Sequence, residues 1–281
     1  MRMRRLSGLS VNRMVPNILT LLALCAGMTA MRFAMGGNFQ AAVFSIIAAG
    51  IFDGLDGRMA RLLKATSSFG AELDSLSDFI SFGVAPAAVL YLWTLSELHG
   101  LGWAIALLYA VCCALRLARF NTETSGETPL YMAPFFTGAP APAGAGLVMV
   151  PMFLSFEWGD WLFRSPYLSA ITVTGIALLM VSKVPTVSLK RIRIPHHLVV
   201  PTLLGFGVAT AFLTTEPWLT LTVVGIVYVS SVPFTVCSYF RLKRATLARQ
   251  TEPAAQPAAA ALRSPPPFPL GETQPPNEWR H

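Results

Sequence analysis

Apolar residues come in long runs along this chain, not in alternation. After a polar, basic start over residues 1–13, eight apolar stretches follow at 14–35, 39–62, 74–97, 101–120, 139–157, 167–184, 196–214 and 218–240. About 20 residues cross a hydrocarbon core as helix. Lipid offers no partner for a bare backbone amide or carbonyl, so each run is expected to be helical. The short alternating segments of a barrel are absent. Several runs are interrupted by Gly, Pro or charge. The pattern stops near Thr251, where eight Pro fall within 31 residues among Ala, Gln and Glu, a composition expected to be disordered. The expected organisation is a basic arm (1–13), a membrane-embedded body (14–245) and a Pro/Ala-rich tail (246–281).

Composition sharpens this. Of 281 residues, 54% are hydrophobic and 12% charged, against roughly 25% charged in soluble domains. A well-solvated globule is excluded. The net charge of +7 is then a matter of membrane sidedness and does not imply nucleic acid. Threading the eight runs through a bilayer puts 19 of the 21 Lys and Arg on one side, leaving Arg32 and Arg164 on the other. By the positive-inside rule both termini are cytoplasmic. Cys25, Cys112, Cys113 and Cys237 lie in apolar runs without metal-ligand spacing and read as small buried hydrophobes. The first run is too long for a signal-peptide core, so no cleavable leader is expected.

Acid is concentrated. Four of the five Asp fall between residues 53 and 78. Asp53 and Asp56 are three apart near the end of the second run. Asp74 and Asp78 are four apart at the start of the third. Each pair shares a helix face, and a tight turn around 64–72 would bring the pairs together. Ionised carboxylates crowded at a membrane edge repel one another, and divalent cations relieve that conflict. Oxygen ligands suit Mg²⁺ or Mn²⁺, and a two-metal cluster suits a diphosphate. The plainer alternatives are helix capping, with Asp74 placed for an N-cap, and ion pairs with Arg58, Arg61 and Lys64. Gly57 leaves room for a nucleotide, and Arg61, four residues on, reaches a phosphate. Gly54 is equally explained by close helix packing. Asn17 and Thr20, three apart at the start of the first run, are candidates for nucleotide binding or for packing. Arg116 and Arg119 are candidates for a phosphate or a substrate carboxylate. Lys183, Lys190, Arg191 and Arg193 form a basic loop suited to anionic lipid headgroups. His196 and His197 carry no metal pattern and default to the membrane interface.

The run Asp53-x-x-Asp56-Gly57-x-x-Ala60-Arg61, then eight residues, then Gly70-x-x-x-Asp74-x-x-x-Asp78, resembles the signature of the CDP-alcohol phosphatidyltransferases. It fixes eight residues over 26 positions. LDSLSDFISFGVAPA at 73–87, LRLARFN at 115–121, KVPTVSLK at 183–190 and VPNILTLLALCAG at 15–27 are similar to the bacterial membrane-embedded phosphatidylserine synthases. The resemblance covers roughly residues 10–245 and implies an all-α polytopic helical bundle, homodimeric, in the bacterial cytoplasmic membrane with its site facing the cytoplasm. It implies transfer of a phosphatidyl group from CDP-diacylglycerol to L-serine with release of CMP. By position it implies that Asp53, Asp56, Asp74 and Asp78 hold two Mg²⁺ or Mn²⁺ ions. Asp78 is also the implied general base, and Gly57, Arg61 and Gly70 the implied nucleotide contacts. Phosphatidylglycerophosphate synthases share the core but commonly carry Lys after the last Asp, where Phe79 stands here. A cation-coupled transporter would instead place its acids near the membrane midplane.

Overall fold

Two side-chain caps frame the acidic hairpin. In the computed structural model, which describes residues 14–123, 135–182, 185–187, 199–231 and Thr235, α1 runs Met14–Met35 with Pro16 in its first turn. The chain reverses at Gly37, whose φ of +76° favours glycine. Asn38 then accepts from the Ala41 amide at 3.1 Å and opens α2, Phe39–Leu62. Lys64, at φ +50°, turns the chain again. Ser67 accepts from the Gly70 amide at 3.0 Å and opens α3, Ser68–Asp78.

This corrects the sequence reading in one respect. The third helix starts at Ser68, not at 74, because Ser67 supplies the cap. Asp74 sits inside the helix and caps nothing.

α3 continues through a wide turn, Phe79–Val84, where the Ala85 amide reaches back five residues to the Ile80 carbonyl. It resumes as α4, Ala85–Trp93, with Pro86 in the first turn. A 3₁₀ turn, Leu95–Leu98, leads into α5, His99–Glu123. The expected fifth run is jointed: α6, Ala141–Val148, and α7, Val150–Trp158, meet at Met149, with Pro151 just beyond the joint. α8 (Asp160–Phe163), α9 (Pro166–Val181), α10 (Val199–Thr215) and α11 (Pro217–Ser231) follow. Two three-residue strands, β1 (Phe135–Thr137) and β2 (Pro185–Val187), pair antiparallel with Phe136 opposite Thr186. They are a minor addition to a helical fold.

The chain is a polytopic all-α membrane protein. Among the described residues, five helical stretches are long and apolar enough to cross a membrane: Met14–Met35, Phe39–Leu62, Ser68–Trp93, Leu95–Thr122 and Ala141–Trp158. Pro166–Val181, Val199–Thr215 and Pro217–Ser231 are shorter apolar helices. Large side chains such as Ile18, Leu22, Phe44, Leu101 and Ile171 are exposed, as suits a lipid-facing surface.

Small residues let α1 approach its neighbours. Ala23, Gly27, Ala30 and Ala34 are buried on α1, opposite Ala42, Ile46 and Ala49 on α2. A Cβ at Gly27 would stand 2.7 Å from Ser81 Oγ and 2.8 Å from Ser81 Cα, so only glycine fits there. Trp218 of α11 packs between Phe44 of α2 (5.0 Å) and Phe156 of α7 (4.8 Å). Beyond the α7 end, Asp160 accepts from Ser155 Oγ and pairs with Arg164 at 3.2 Å, while Arg164 also donates to the Trp93 carbonyl. The Ser155 hydroxyl, and then Arg164, hold the Asp160 carboxyl below its usual range.

Candidate active site

Both acid pairs meet at the α2–α3 hairpin. Asp53 and Asp56 come from the last turns of α2, and Asp74 and Asp78 from α3. One carboxylate oxygen from each of Asp53, Asp56 and Asp74 lies within 4.8 Å of the others. Asp78 joins at the deep side, its carboxyl within hydrogen-bonding reach of Asp53.

α1 holds this hairpin from behind. The Thr20 hydroxyl donates to Asp56 Oδ2 at 2.7 Å, with the Pro16 carbonyl at 3.1 Å as a second acceptor. Ser77 Oγ donates to the Thr20 carbonyl at 3.0 Å, and Ser81 Oγ to that of Ala23 at 3.1 Å. Thr20 and Asp56 are both buried.

The cluster suits a hard cation. Its donors are all carboxylate oxygens at convergent positions, as Mg²⁺ or Mn²⁺ prefers. Among the described residues, no ion pair joins Arg58, Arg61 or Lys64 to the four acids, while Arg164 pairs with Asp160. Capping and basic pairing, the plainer readings of these Asp, are both set aside.

A polar cavity of about 210 Å³ opens beside the acids. Asn17 and Thr20 of α1, Asp56, Gly57 and Arg61 of α2, and Gly70 and Asp74 of α3 all line it. A Cβ added at Gly57 would meet nothing within 4 Å, so the space in front of it is open. At Gly54 too an added Cβ would meet nothing within 4 Å among the described residues, so packing within the chain does not call for glycine there. At Gly70 a Cβ would come to 3.1 Å from Asn17 Oδ1 and Ser67 Oγ.

A second, apolar cavity of about 240 Å³ is lined by Ile46, Gly50, Phe82, Leu147 and Gly225 among others, and by none of the four acids. Gly50 is one turn from Asp53 on the same face of α2, and Phe82 one turn from Asp78. This cavity escapes a reading of the sequence because its walls come from α6, α7 and α11, far along the chain. The spacing of Gly50 from Asp53 is the one local hint.

Arg116 and Arg119 diverge. Arg116 lies within electrostatic reach of Asp78, Tyr109 and Tyr228, and its Nε is buried with no hydrogen-bond partner. Arg119 donates to the Val181 carbonyl at 3.4 Å, tying α5 to α9. Asn121 adds a bond to Ser75 Oγ at 2.9 Å. The basic loop with Lys183, Lys190, Arg191 and Arg193, the pair His196 and His197, Cys237, the N-terminal arm and the Pro-rich tail lie outside the described residues.

Known proteins resemble this chain over most of its length. The family described as CDP-alcohol phosphatidyltransferase matches residues 13–181, and a second, CDP-alcohol phosphatidyltransferase 2, matches residues 197–233. The CDP-diacylglycerol–serine O-phosphatidyltransferase of Mycobacterium tuberculosis is 40% identical over 227 residues, 80% of this chain and 79% of its own length. The enzyme of that name from Helicobacter pylori is 36% identical over 63% of this chain and 73% of its own length. That of Bacillus subtilis is 37% identical over 60% of this chain and 88% of its own length. With a family match over more than half of the residues and a relative 40% identical over 80% of its length, the chain belongs to the CDP-alcohol phosphatidyltransferase family.

Proposed function

We propose that the chain transfers the phosphatidyl group of CDP-diacylglycerol to the hydroxyl of L-serine, releasing CMP. The observation that carries this is the order along α2, where Asp53 and Asp56 stand between Gly50, which lines the apolar cavity, and Gly57, which lines the polar one. A nucleotide, a diphosphate and acyl chains require that order of surfaces. The names of relatives up to 40% identical support the acceptor, as does Phe79 after the last Asp.

In this reading Asn17, Thr20, Gly57, Arg61 and Gly70 receive the cytidine nucleotide, with Arg61 on a phosphate. Asp53, Asp56, Asp74 and Asp78 would hold two divalent ions, Mg²⁺ or Mn²⁺. Bound there, such ions supply charge neutralisation at the phosphate oxygens and the departing CMP. Asp78 takes the proton of the serine hydroxyl. The freed oxygen attacks the phosphorus that carries diacylglycerol, in line with the bond to CMP, which breaks as the new bond forms. Arg116, with a buried donor left over beside Asp78, is suited to the serine carboxylate. Arg119 is the weaker candidate, since it already donates to a backbone carbonyl.

The basic loops support an eight-span topology with both termini, and the site, at the cytoplasmic face of the bacterial inner membrane. Residues 14–245 are assigned as the catalytic body, working as a homodimer among membrane phospholipids. All four acids lie in the halves of their spans next to the hairpin turn, on the side of Arg58, Arg61 and Lys64, which favours this reading over ion-coupled transport. The test is CMP release by the purified full chain from CDP-diacylglycerol, with Mg²⁺ or Mn²⁺, in the presence of serine, glycerol 3-phosphate or no alcohol. Serine-stimulated release is expected. Stimulation by glycerol 3-phosphate alone would overturn the acceptor assignment.

A further inference from the structure

We propose that Tyr109 and Ser81 are positioning residues for Asp78, acting through the wide turn Phe79–Val84. The inference rests on the reading of Asp78 as proton acceptor.

The cause of the turn is in the sequence. In a regular α-helix the carbonyl of residue 82 accepts from the amide of residue 86. Pro86 has no amide hydrogen, and its ring crowds the carbonyl four residues back. The helix responds by widening: the Ala85 amide bonds to Ile80, five residues back. Inside a bilayer no water is at hand for the Phe82 carbonyl. Tyr109 of α5, fully buried, donates its hydroxyl to that carbonyl at 2.9 Å. Its phenol thus replaces the hydrogen that proline lacks.

The turn is clamped from the other side as well. Ser81 Oγ donates to the Ala23 carbonyl of α1. Gly27 faces Ser81, and a Cβ at Gly83 would come to 3.1 Å from Cys113 Sγ. One residue in four on α5 (Tyr109, then Cys113) faces this turn, and Arg116 continues the same face toward Asp78.

What the clamp fixes is rotational phase. α4 is locked in the core by Val89, Leu90 and Trp93. Asp74 and Asp78 lie on the other side of the turn. A helix advances about 100° per residue, so closing the wide turn to regular α geometry would swing Asp78 about 100° relative to α4. Tyr109 and Ser81 are absent from the polar cavity wall, so they act on Asp78 through the backbone and not on the nucleotide.

The test is Tyr109→Phe and Ser81→Ala in the full chain. CDP-diacylglycerol binding sites are counted, and KM and turnover come from CMP release with serine. The expected result is an unchanged KM for CDP-diacylglycerol, with turnover per binding site reduced about tenfold or more for Tyr109→Phe and about threefold for Ser81→Ala. Turnover per site within about twofold of the parent in Tyr109→Phe overturns the inference. Activity lost only in proportion to binding sites marks a merely structural residue and overturns it too. If Tyr109→Phe does not fold, Ser81→Ala decides by the same criterion. The parent run alongside separates the two readings. A parent without serine-dependent CMP release sinks the proposed function. An active parent with unaltered variants sinks this inference.

Discussion

Replacing Thr20 with Val tests how the acids are held. Val keeps the branched shape, so the buried packing of α1 persists. The Ser77 bond also survives, because it goes to the Thr20 backbone carbonyl. What disappears is one hydroxyl donor to Asp56 Oδ2 at 2.7 Å, in a site where both residues are buried. A hydrogen bond to a charged group contributes about 1.5–3 kcal/mol. At about 1.4 kcal/mol per tenfold change, that is roughly 10- to 150-fold in whatever equilibrium needs Asp56 in place. The expected outcome is a loss of that order in kcat/KM, with the Mg²⁺ or Mn²⁺ concentration for half-maximal activity raised. The assay is CMP release at graded metal concentration. Thr20→Ser, which keeps the donor, should stay near the parent. A Val variant with parental kcat/KM and metal response would refute the idea that α1 orients the carboxylates.

Gly57→Leu places a side chain in open space inside the polar cavity. Thermal unfolding should be unchanged or slightly later, since leucine favours helix over glycine by up to about 1 kcal/mol, while CDP-diacylglycerol binding is lost; normal binding would show that the nucleotide lies elsewhere. Asp160→Asn removes a carboxyl whose folded-state pKa is lowered by Ser155 and Arg164. A lowered pKa contributes stability above the unfolded value of about 3.9, lost as pH falls through the folded value. The variant should therefore unfold at lower temperature than the parent near neutral pH, and the gap should shrink in acid. A gap that widens on acidification contradicts the assignment.

The helices and the acid cluster were legible because both rest on local pattern. Apolar runs give helices in lipid, and three- and four-residue spacings put Asp pairs on one face. The misses come from backbone hydrogen bonding and distant contacts. Ser67, not Asp74, caps α3, since a serine three residues before Gly70 reaches its amide. The joint at Met149 interrupts the expected fifth run, which still forms one apolar stretch, Ala141–Trp158. Thr20 lines the cavity, yet its hydroxyl is directed to Asp56, a partner 36 residues away that no local spacing reveals. The wide turn follows from Pro86, which the apolar pattern does not single out, and the donor that completes it comes from another helix.

One face of α2 carries an ordered sequence of surfaces. Ile46 and Gly50 border the apolar cavity, Asp53 and Asp56 the cluster, and Gly57 and Arg61 the polar cavity. From Gly50 to Gly57 the helix rises about 10 Å, at 1.5 Å per residue. That face is a ruler laid across the boundary between oil and water. In the proposed reaction it sets the depth at which the diphosphate rests, and a small, charged acceptor arriving from the aqueous side meets the scissile bond without entering the lipid.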